Sequence, residues 1–256
     1  MTSSTESPGP LARAKATNVK AVAAKIETIA QLDEAVTHCT ACPRLVAWRE
    51  EVAVVKRKAY SDHEYWGKPI PGFGSDKPRL LIVGLAPGAH GANRTGRIFT
   101  GDSSGDWLYG SLHRIGIAKI PTSTSRDDGQ KLKHTRINTA VRCAPPDNKP
   151  DTPERDMCAP WLKREIELTL PTVRAFVGLG AFAWNALLKT LRELGHPIPA
   201  VKFGHGAEYA YSHSGVDYLL IASYHPSQQN TFTGKLTHDQ LDAVLETAAR
   251  FSRAIG

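Results

Sequence analysis

The spacing of apolar residues predicts strands that alternate with helices. Four short apolar runs, each ending in a loop signal, have the length of buried strands. These runs are Leu80 to Val83, Ile137 to Val141, Ala175 to Val177 and Tyr218 to Ala222. Because helical patterns lie between them, we expect the strands to pair mostly in parallel.

Three helices are predicted from a period of three to four residues. One carries Leu108 and Leu112 and closes at Gly116, and a second runs over 182–194 before Gly195. The last begins at Thr237, where Gln240 stands in capping-box position, and should cover one face of the sheet. The expected fold class is α/β, a three-layer α/β/α sandwich with a mostly parallel four-stranded central sheet.

The first 25 residues are rich in Ser, Ala, Thr and Lys and contain almost no large apolar side chains. That composition predicts a disordered N-terminal tail over 1–25. Thr28 and Gln31 then form a second capping-box pattern, which predicts a helix leading to Cys39. No long Pro/Gly/Ser-rich linker interrupts residues 26–256, so these residues should form a single domain.

Composition narrows the class of protein only modestly. The 256 residues are 41% hydrophobic, and no apolar run approaches membrane-spanning length. The N-terminus lacks the basic start and apolar stretch of a secretory signal, so we expect a cytoplasmic protein without a membrane partner. The formal charge of +7 weakly favours a polyanionic partner such as nucleic acid.

Four cysteines form a pattern that a shared metal centre explains. Cys39 and Cys42 have C-x-x-C spacing, Cys143 follows the second predicted strand, and Cys158 comes fifteen residues later. Four are too few for a disulfide scaffold in a reducing compartment. Four thiolates suit either zinc or an iron–sulfur cluster, and the spacing does not separate the two. Unlinked core cysteines are the plain alternative.

The loop after the first strand is glycine-rich from Gly84 to Gly91, which lets backbone approach a ligand closely. It matches neither a phosphate loop nor the dinucleotide fingerprint, and a plain turn remains the alternative. Downstream, Asp102 either caps a helix or faces a ligand. Phe99 is a candidate stacking platform for a base or simply a core aromatic.

Two further loops follow predicted strands. Pro145 and Pro146 should hold Asn148 rigidly after the second strand, and His225 stands directly after the fourth. Parallel sheets bind ligands beyond the carboxyl ends of their strands, so these loops are expected to meet in one crevice.

These segments together resemble the uracil-DNA glycosylase superfamily from Cys39 to beyond Asn230. The stretch from Gly84 to Gly88 resembles the family's first motif, and the stretch from His225 to Ser227 resembles its last. The four cysteines fall where the iron–sulfur branch places its [4Fe-4S] ligands. Leu85 replaces the acidic residue of family four, so the chain most resembles family five, the uracil-DNA glycosylase B type.

The resemblance implies a DNA glycosylase that removes uracil and other deaminated bases, such as hypoxanthine, from double-stranded DNA. Family four reads uracil with an Asn in its second strand, and Thr139 occupies that position here. A site with fewer contacts to the base edge rejects fewer analogues. The implied substrate range is therefore broader than uracil alone.

The resemblance also assigns expected roles to residues. Asp102 would activate a water, Asn148 would help to hold it, and His225 would donate a hydrogen bond to the departing base. The [4Fe-4S] cluster would be structural. The expected base-binding residues are Gly84, Ala86, Gly88, Phe99 and Thr139, and the expected DNA-binding residues are Arg94, Arg97, Lys149, Gln228, Gln229 and Asn230.

Two other classes of function remain open at this point. One is a zinc- or cluster-stabilised nucleic-acid binding module without catalysis. The other is a cluster-dependent redox enzyme, which is disfavoured because the chain lacks both the C-x-x-x-C-x-x-C arrangement of radical enzymes and a dinucleotide fingerprint. We expect a monomer that acts in the cytoplasm and associates with the nucleoid during repair.

Overall fold

Six strands form one mixed sheet in the computed structural model, which describes residues 13–254. The strands are β1 Phe73–Gly74, β2 Leu80–Gly84, β3 Thr135–Thr139, β4 Ala175–Leu179, β5 Glu208–His213 and β6 Val216–Ser223. Their order across the sheet is β1-β3-β2-β4-β6-β5. The four predicted runs are the inner strands, which pair in parallel with Ile82 opposite both Ile137 and Val177.

The sheet has two more strands than the four predicted, and both pair antiparallel at its edges. Strand β1 has only two residues, too few to show a pattern. Strand β5 alternates between exposed and half-buried positions and joins β6 through Ser214 and Gly215, both at positive φ. A two-residue turn of that kind is a hairpin signal, which the sequence therefore carried.

Nine helices surround the sheet within the described part of the chain. They are α1 Val19–Ala24, α2 Ile29–Thr37, α3 Pro43–Val55, α4 Ala92–Thr95, α5 Ser103–Arg114, α6 Thr152–Thr169, α7 Ala181–Glu193, α8 Gln228–Phe232 and α9 His238–Ala254. Both predicted capping boxes form, at Thr28 with Gln31 and at Thr237 with Gln240. None of the helices described in 13–254 has the length and apolar character needed to cross a membrane.

The helices form two layers over the sheet, as predicted. Helices α5 and α9 cover one face, where Leu112 and Leu245 pack against Ile82. Helices α6 and α7 cover the other, where Ile166 and Trp184 pack with Val83. Burial of aliphatic side chains on both faces explains why the inner strands are continuously apolar.

The predicted disorder over 1–25 is wrong for its second half. Residues 19–24 form α1, in which Val19, Val22 and Ala23 are buried, and α1 and α2 pack against α6. The small alanines and valines of α1 are buried in one apolar cluster with residues of α2 and α6. Residues 1–12 lie outside the described part.

A buried ionic network ties this N-terminal unit to the sheet. Glu165 on α6 accepts hydrogen bonds from Arg136 on β3 and from Arg142 in the loop that follows. Arg136 Nη2 also donates to Asp33 Oδ1 on α2, at 2.5 Å. Both arginines and Glu165 are almost completely buried. The network thus joins α2, β3 and α6 at one point.

Candidate active site

A cavity of about 710 Å³ opens at the carboxyl ends of the parallel strands. Its walls come from the loops after β2, β3, β4 and β6 and from the segment that follows α3. Nine predicted site residues line it: Ala86, Gly88, Phe99, Asp102, Asn148, Lys149, His225, Gln228 and Gln229. A volume of this size is typical of a site for a small organic group such as a nucleobase.

Asp102 both caps a helix and lines the cavity. It is the N-cap of α5, and its Oδ1 accepts a hydrogen bond from Gly105 N at 3.0 Å. Burial raises the pKa of the carboxyl above its ordinary value of 3.8, although the backbone amides of Gly105 and Ser104 oppose that rise. Helix capping and a position facing the cavity, which the sequence left as alternatives for Asp102, therefore occur together.

The second carboxylate oxygen lies directly over the glycine-rich loop. A Cβ atom placed on Gly88 would stand 2.9 Å from Asp102 Oδ2, and one on Gly91 would overlap that oxygen. Only glycine lets the loop approach the carboxylate this closely. The glycines after β2 thus make room for the carboxylate as well as for any ligand.

Phe99 and His225 form an aromatic pair beside the carboxylate. Their ring centroids are 5.8 Å apart and the planes meet at 32°. Phe99 is 5% exposed and has a φ of 50°, in the left-handed region that disfavours a side chain of this size. Strain of this kind at a cavity wall is typical of functional sites.

His225 is held as a neutral ring. Burial lowers its pKa to about 4, so at neutral pH the ring carries one N–H donor and one acceptor. Asn230 on α8 donates from Nδ2 to the His225 carbonyl at 2.8 Å. Asn230 was predicted to contact DNA, but it is absent from the cavity wall and instead braces the loop that carries His225.

The loop after β3 places Asn148 and Lys149 at the mouth. Asp147 and Asn148 have φ values of 53° and 56° in the 3-10 turn Pro146–Asn148. Both Asn148 and Lys149 are exposed and line the cavity. Two consecutive left-handed residues after two prolines give the rigid loop that the sequence predicted.

Two predicted base-binding residues lie behind the wall. Gly84 and Thr139 end the neighbouring strands β2 and β3, and neither lines the cavity. A Cβ on Gly84 would stand 2.8 Å from the Phe99 ring and 3.2 Å from Thr139 Cγ2. Gly84 thus lies against both the Phe99 ring and Thr139, and contact of Gly84 or Thr139 with the base stays a prediction.

The two arginines predicted to contact phosphates are buried. Arg94 donates to the carbonyls of His90 and Gly101, and its guanidinium lies 4.0 Å from the Tyr60 ring centroid. Arg97 is 4% exposed, pairs with Asp128 at 2.5 Å and donates to Thr100 Oγ1. These bonds use the guanidinium groups to shape the loop around Phe99, so the phosphate role is corrected for both.

Several wall residues were missed by sequence reasoning, among them the large polar or aromatic side chains of Arg57, Tyr60, His90 and Phe182. Phe182 follows β4, whose carboxyl end must lie at the same edge as the others, so topology alone could have indicated it. His90 stands within the glycine-rich loop already singled out. Arg57 and Tyr60 precede the sheet in a segment without periodicity, and no sequence signal identifies them.

The four cysteines gather in one cluster of side chains beside α1, α2 and α6. Arg49 Nη1 donates to Cys143 Sγ at 3.2 Å, and Arg142 N donates to Cys158 Sγ at 3.3 Å. Burial and the neighbouring Cys143 and Cys39 thiols raise the pKa of Cys42 to about 12. N–H donors aimed at clustered sulfurs fit thiolates that hold a metal centre.

Within residues 13–254, no three His, Cys, Asp or Glu side chains converge in the geometry of a single metal ion. The thiols of Cys39, Cys42, Cys143 and Cys158 are all free. These four residues could hold a cofactor, because they lie together and because N–H groups donate to the sulfur atoms of two of them.

The cavity combines three chemical capacities. A carboxylate with a raised pKa can accept a proton, and a neutral imidazole can donate a hydrogen bond. An aromatic ring beside them offers a face for a flat ligand. This set suits hydrolysis of a bond next to an aromatic heterocycle.

Comparison with known proteins gives the family. The model of the Uracil DNA glycosylase superfamily matches residues 71–249. The chain is 51% identical to a type-5 uracil-DNA glycosylase of Mycobacterium tuberculosis, over 88% of this chain and 82% of that protein. It is 49% identical to the type-5 enzyme of Thermus thermophilus, over 86% and 96%. It is 45% identical to that of Pyrobaculum aerophilum, over 83% and 88%.

The family match spans the sheet and every strand-end loop of the cavity, and the relatives extend the similarity toward the first cysteines. The cavity at the strand ends brings a carboxylate and an aromatic pair together, in agreement with this match. The chain therefore belongs to the uracil-DNA glycosylase superfamily, a family of DNA glycosylases, beside its type-5 members.

Proposed function

We propose that this enzyme hydrolyses the N-glycosidic bond of uracil, and of other deaminated bases such as hypoxanthine, after extruding the nucleotide from double-stranded DNA. The observation that carries the proposal is the position of the Asp102 carboxylate in the same cavity as the Phe99 and His225 rings. Flipping costs a few kcal/mol and is easiest for mispaired bases.

The extruded base stacks on Phe99 within the cavity. Ala86 and Gly88 line the same cavity, and the small size of these residues leaves room for either a pyrimidine or a purine. Thr139 is not among the residues that line the cavity. With few side chains reading the base edge, the site should tolerate hypoxanthine as well as uracil.

The bond between C1′ and the base nitrogen breaks with its electron pair moving to the base. Neutral His225 donates a hydrogen bond to the base carbonyl, where negative charge develops. The sugar becomes cationic and is stabilised by the Asp102 carboxylate. A water held between Asp102 and Asn148 adds to C1′ as Asp102 takes its proton, and the departing base is protonated from solvent.

The catalytic assay uses labelled duplexes bearing uracil, hypoxanthine or thymine opposite guanine, followed by alkaline cleavage of abasic sites. We expect cleavage with uracil and hypoxanthine, since both are deaminated and weakly paired. Asp102→Asn should slow cleavage on the order of 10²- to 10⁴-fold, because no general base remains. Its binding to the same duplexes should stay nearly unchanged.

Asp106→Asn is the matched control for that variant. Asp106 stands one helical turn further along α5, is exposed and does not line the cavity. It should keep full activity. Equal turnover by wild type and Asp102→Asn, with binding intact, would remove Asp102 from the mechanism. Binding without cleavage by any form would favour the non-catalytic binding module.

The four cysteines hold a structural [4Fe-4S] cluster in this proposal. Cys39, Cys42, Cys143 and Cys158 would be its ligands, and Arg49 with the Arg142 amide would donate hydrogen bonds to its sulfurs. The reaction needs no electron transfer, so the cluster's contribution is to tie the N-terminal helices to the loop that bears Asn148. Clustered thiols with N–H donors support this assignment.

Cys143→Ser tests the cluster through absorbance and iron content. Wild-type protein should be coloured, with a band near ~400 nm, and the variant should lose both the band and bound iron. Met157→Leu is the control, because Met157 packs beside the same cysteines without being a ligand. Colourless wild-type protein that contains zinc would contradict the cluster.

The other proposed properties concern the partner and the setting. We propose a monomer that acts on DNA. Loop 228–233 is proposed to fill the vacated base stack, since Gln228 and Gln229 line the mouth and Phe232 is 77% exposed. We propose that the enzyme works in the cytoplasm, at the nucleoid. Light scattering that gives a dimer mass would contradict the monomer.

A further inference from the structure

The end of α3 carries an unusual surface. Among the residues described, three large hydrophobic side chains are markedly exposed, and two of them, Val54 and Val55, end this helix at 81% and 72% exposure. Lys56, Arg57 and Lys58 follow directly. We name residues 54–58 the α3 rim. Neighbouring apolar and basic groups with high exposure are typical of a binding surface.

The α3 rim borders the cavity through one residue, Arg57, which lines the wall together with Tyr60. Arg57 N donates to the Tyr65 hydroxyl at 3.4 Å, and that hydroxyl bonds to His90 Nδ1 at 3.0 Å. His90 stands on the same wall. The backbone of the α3 rim is therefore anchored to the glycine-rich loop.

Arg57 itself is free to bind an anion. Its side chain is exposed, and within 13–254 no carboxylate forms an ion pair with it. Burial first, and then the charges of Arg57 and Arg94, lower the pKa of His90. The Arg57 charge thus projects toward the cavity without an acidic partner, unlike those of Arg94 and Arg97.

We infer that the α3 rim is a DNA-binding element, in which Arg57 binds a phosphate of the extruded nucleotide while Val54 and Val55 pack against the sugar edges of the adjoining duplex. The inference rests on the proposed function for its substrate. A base inside the cavity leaves its own phosphates at the mouth, where a free guanidinium can hold one. Valines beside it match the apolar sugar faces of a groove.

The experiment measures binding rather than cleavage. Full-length protein is titrated onto a duplex with a tetrahydrofuran abasic analogue, over a series of salt concentrations. Arg57→Ala should weaken binding and lower the slope of log K against log salt by about 0.9, the value for one phosphate contact. Arg57→Lys should restore the slope, because it restores the charge.

The valines and a remote lysine complete the design. The double variant Val54→Ser, Val55→Ser should weaken binding without changing the slope, since no charge is lost. Lys77→Ala should change neither quantity, because this exposed lysine precedes β2 and lies at the opposite end of the strands from the cavity. A wild-type slope in Arg57→Ala, or an equal loss in Lys77→Ala, would overturn the inference.

The abasic analogue keeps the two proposals separate. It cannot be cleaved, so a reduced slope in Arg57→Ala supports the α3 rim even when wild-type protein releases no uracil. Conversely, normal uracil release by wild-type protein together with an unchanged slope in Arg57→Ala would support the glycosylase proposal and contradict the proposal for the α3 rim. Equal melting temperatures for wild type and Arg57→Ala are expected, because the side chain is exposed and forms no ion pair with the carboxylates described in 13–254.

Discussion

At the scale of single residues, the cavity keeps two ionisable groups in unusual states. Burial raises the pKa of Asp102 and lowers that of His225 to about 4. Burial penalises the charged form of either group, so the shifts have opposite signs for an acid and a base. The consequence is a site whose imidazole is neutral and whose carboxylate is a stronger base than an exposed one.

The His225 shift gives a pH prediction for stability. The folded-state pKa of about 4 is below the ordinary 6.5, so unfolded chains bind the extra proton between these values. The free energy of unfolding should therefore fall as pH drops from about 6.5 to about 4. His225→Asn should flatten this part of the profile in denaturant titrations. A variant profile parallel to wild type would contradict the shift.

Sequence reasoning identified these residues better than it identified their neighbours. The family resemblance singled out Asp102, Asn148 and His225, and the positions of Asn148 and His225 after inner strands agreed with it, because parallel strands end at one edge. Arg94 and Arg97 were misassigned because charge alone does not tell a solvent-facing guanidinium from one that is buried against Asp128 or Tyr60. That distinction depends on packing between segments far apart in sequence.

At the scale of elements, the glycine-rich loop and α5 form one unit. The helix presents Asp102 at its N-cap, and the loop accommodates the carboxylate because Gly88 and Gly91 have no side chains. Sequence pattern predicted both elements, yet it could not show that they touch. The inner strands could be predicted because burial on both faces makes their sequences continuously apolar. The two edge strands were not predicted because they are short or half-exposed.

Gly91→Ala tests this contact between loop and helix. The added methyl group would overlap Asp102 Oδ2, so the carboxylate must move and cleavage should fall at least tenfold, an order-of-magnitude expectation for a displaced catalytic group. Gly110→Ala is the control within α5, where the new methyl meets only ordinary contacts. It should keep activity and gain up to about 1 kcal/mol of stability. Full activity in Gly91→Ala would disprove the contact's importance.

At the scale of the whole molecule, the N-terminal unit joins the sheet through charge as well as apolar packing. Glu165 receives Arg136 and Arg142, and Arg136 also binds Asp33. The predicted disorder failed for the second half of 1–25, where α1 packs against α6. The composition of a segment does not show which surface of the folded protein the segment can pack against.

Glu165→Gln should destabilise the protein by about 3–5 kcal/mol, because two buried guanidinium groups lose their shared counter-charge. Chemical denaturation measures the change. Glu167→Gln, two residues away, removes a half-buried i,i+3 pair with Arg164 that solvent still reaches, and should cost less than about 1 kcal/mol. Similar losses in the two variants would show that the buried network contributes nothing special.

The cavity wall begins at Arg57 and ends at Gln229, so its parts are synthesised almost from one end of the chain to the other. A nascent polypeptide on the ribosome has the glycine-rich loop and Asp102 long before it has His225. It lacks an enclosed pocket until translation is nearly finished. The pocket is therefore complete only after the residues up to Gln229 have been added.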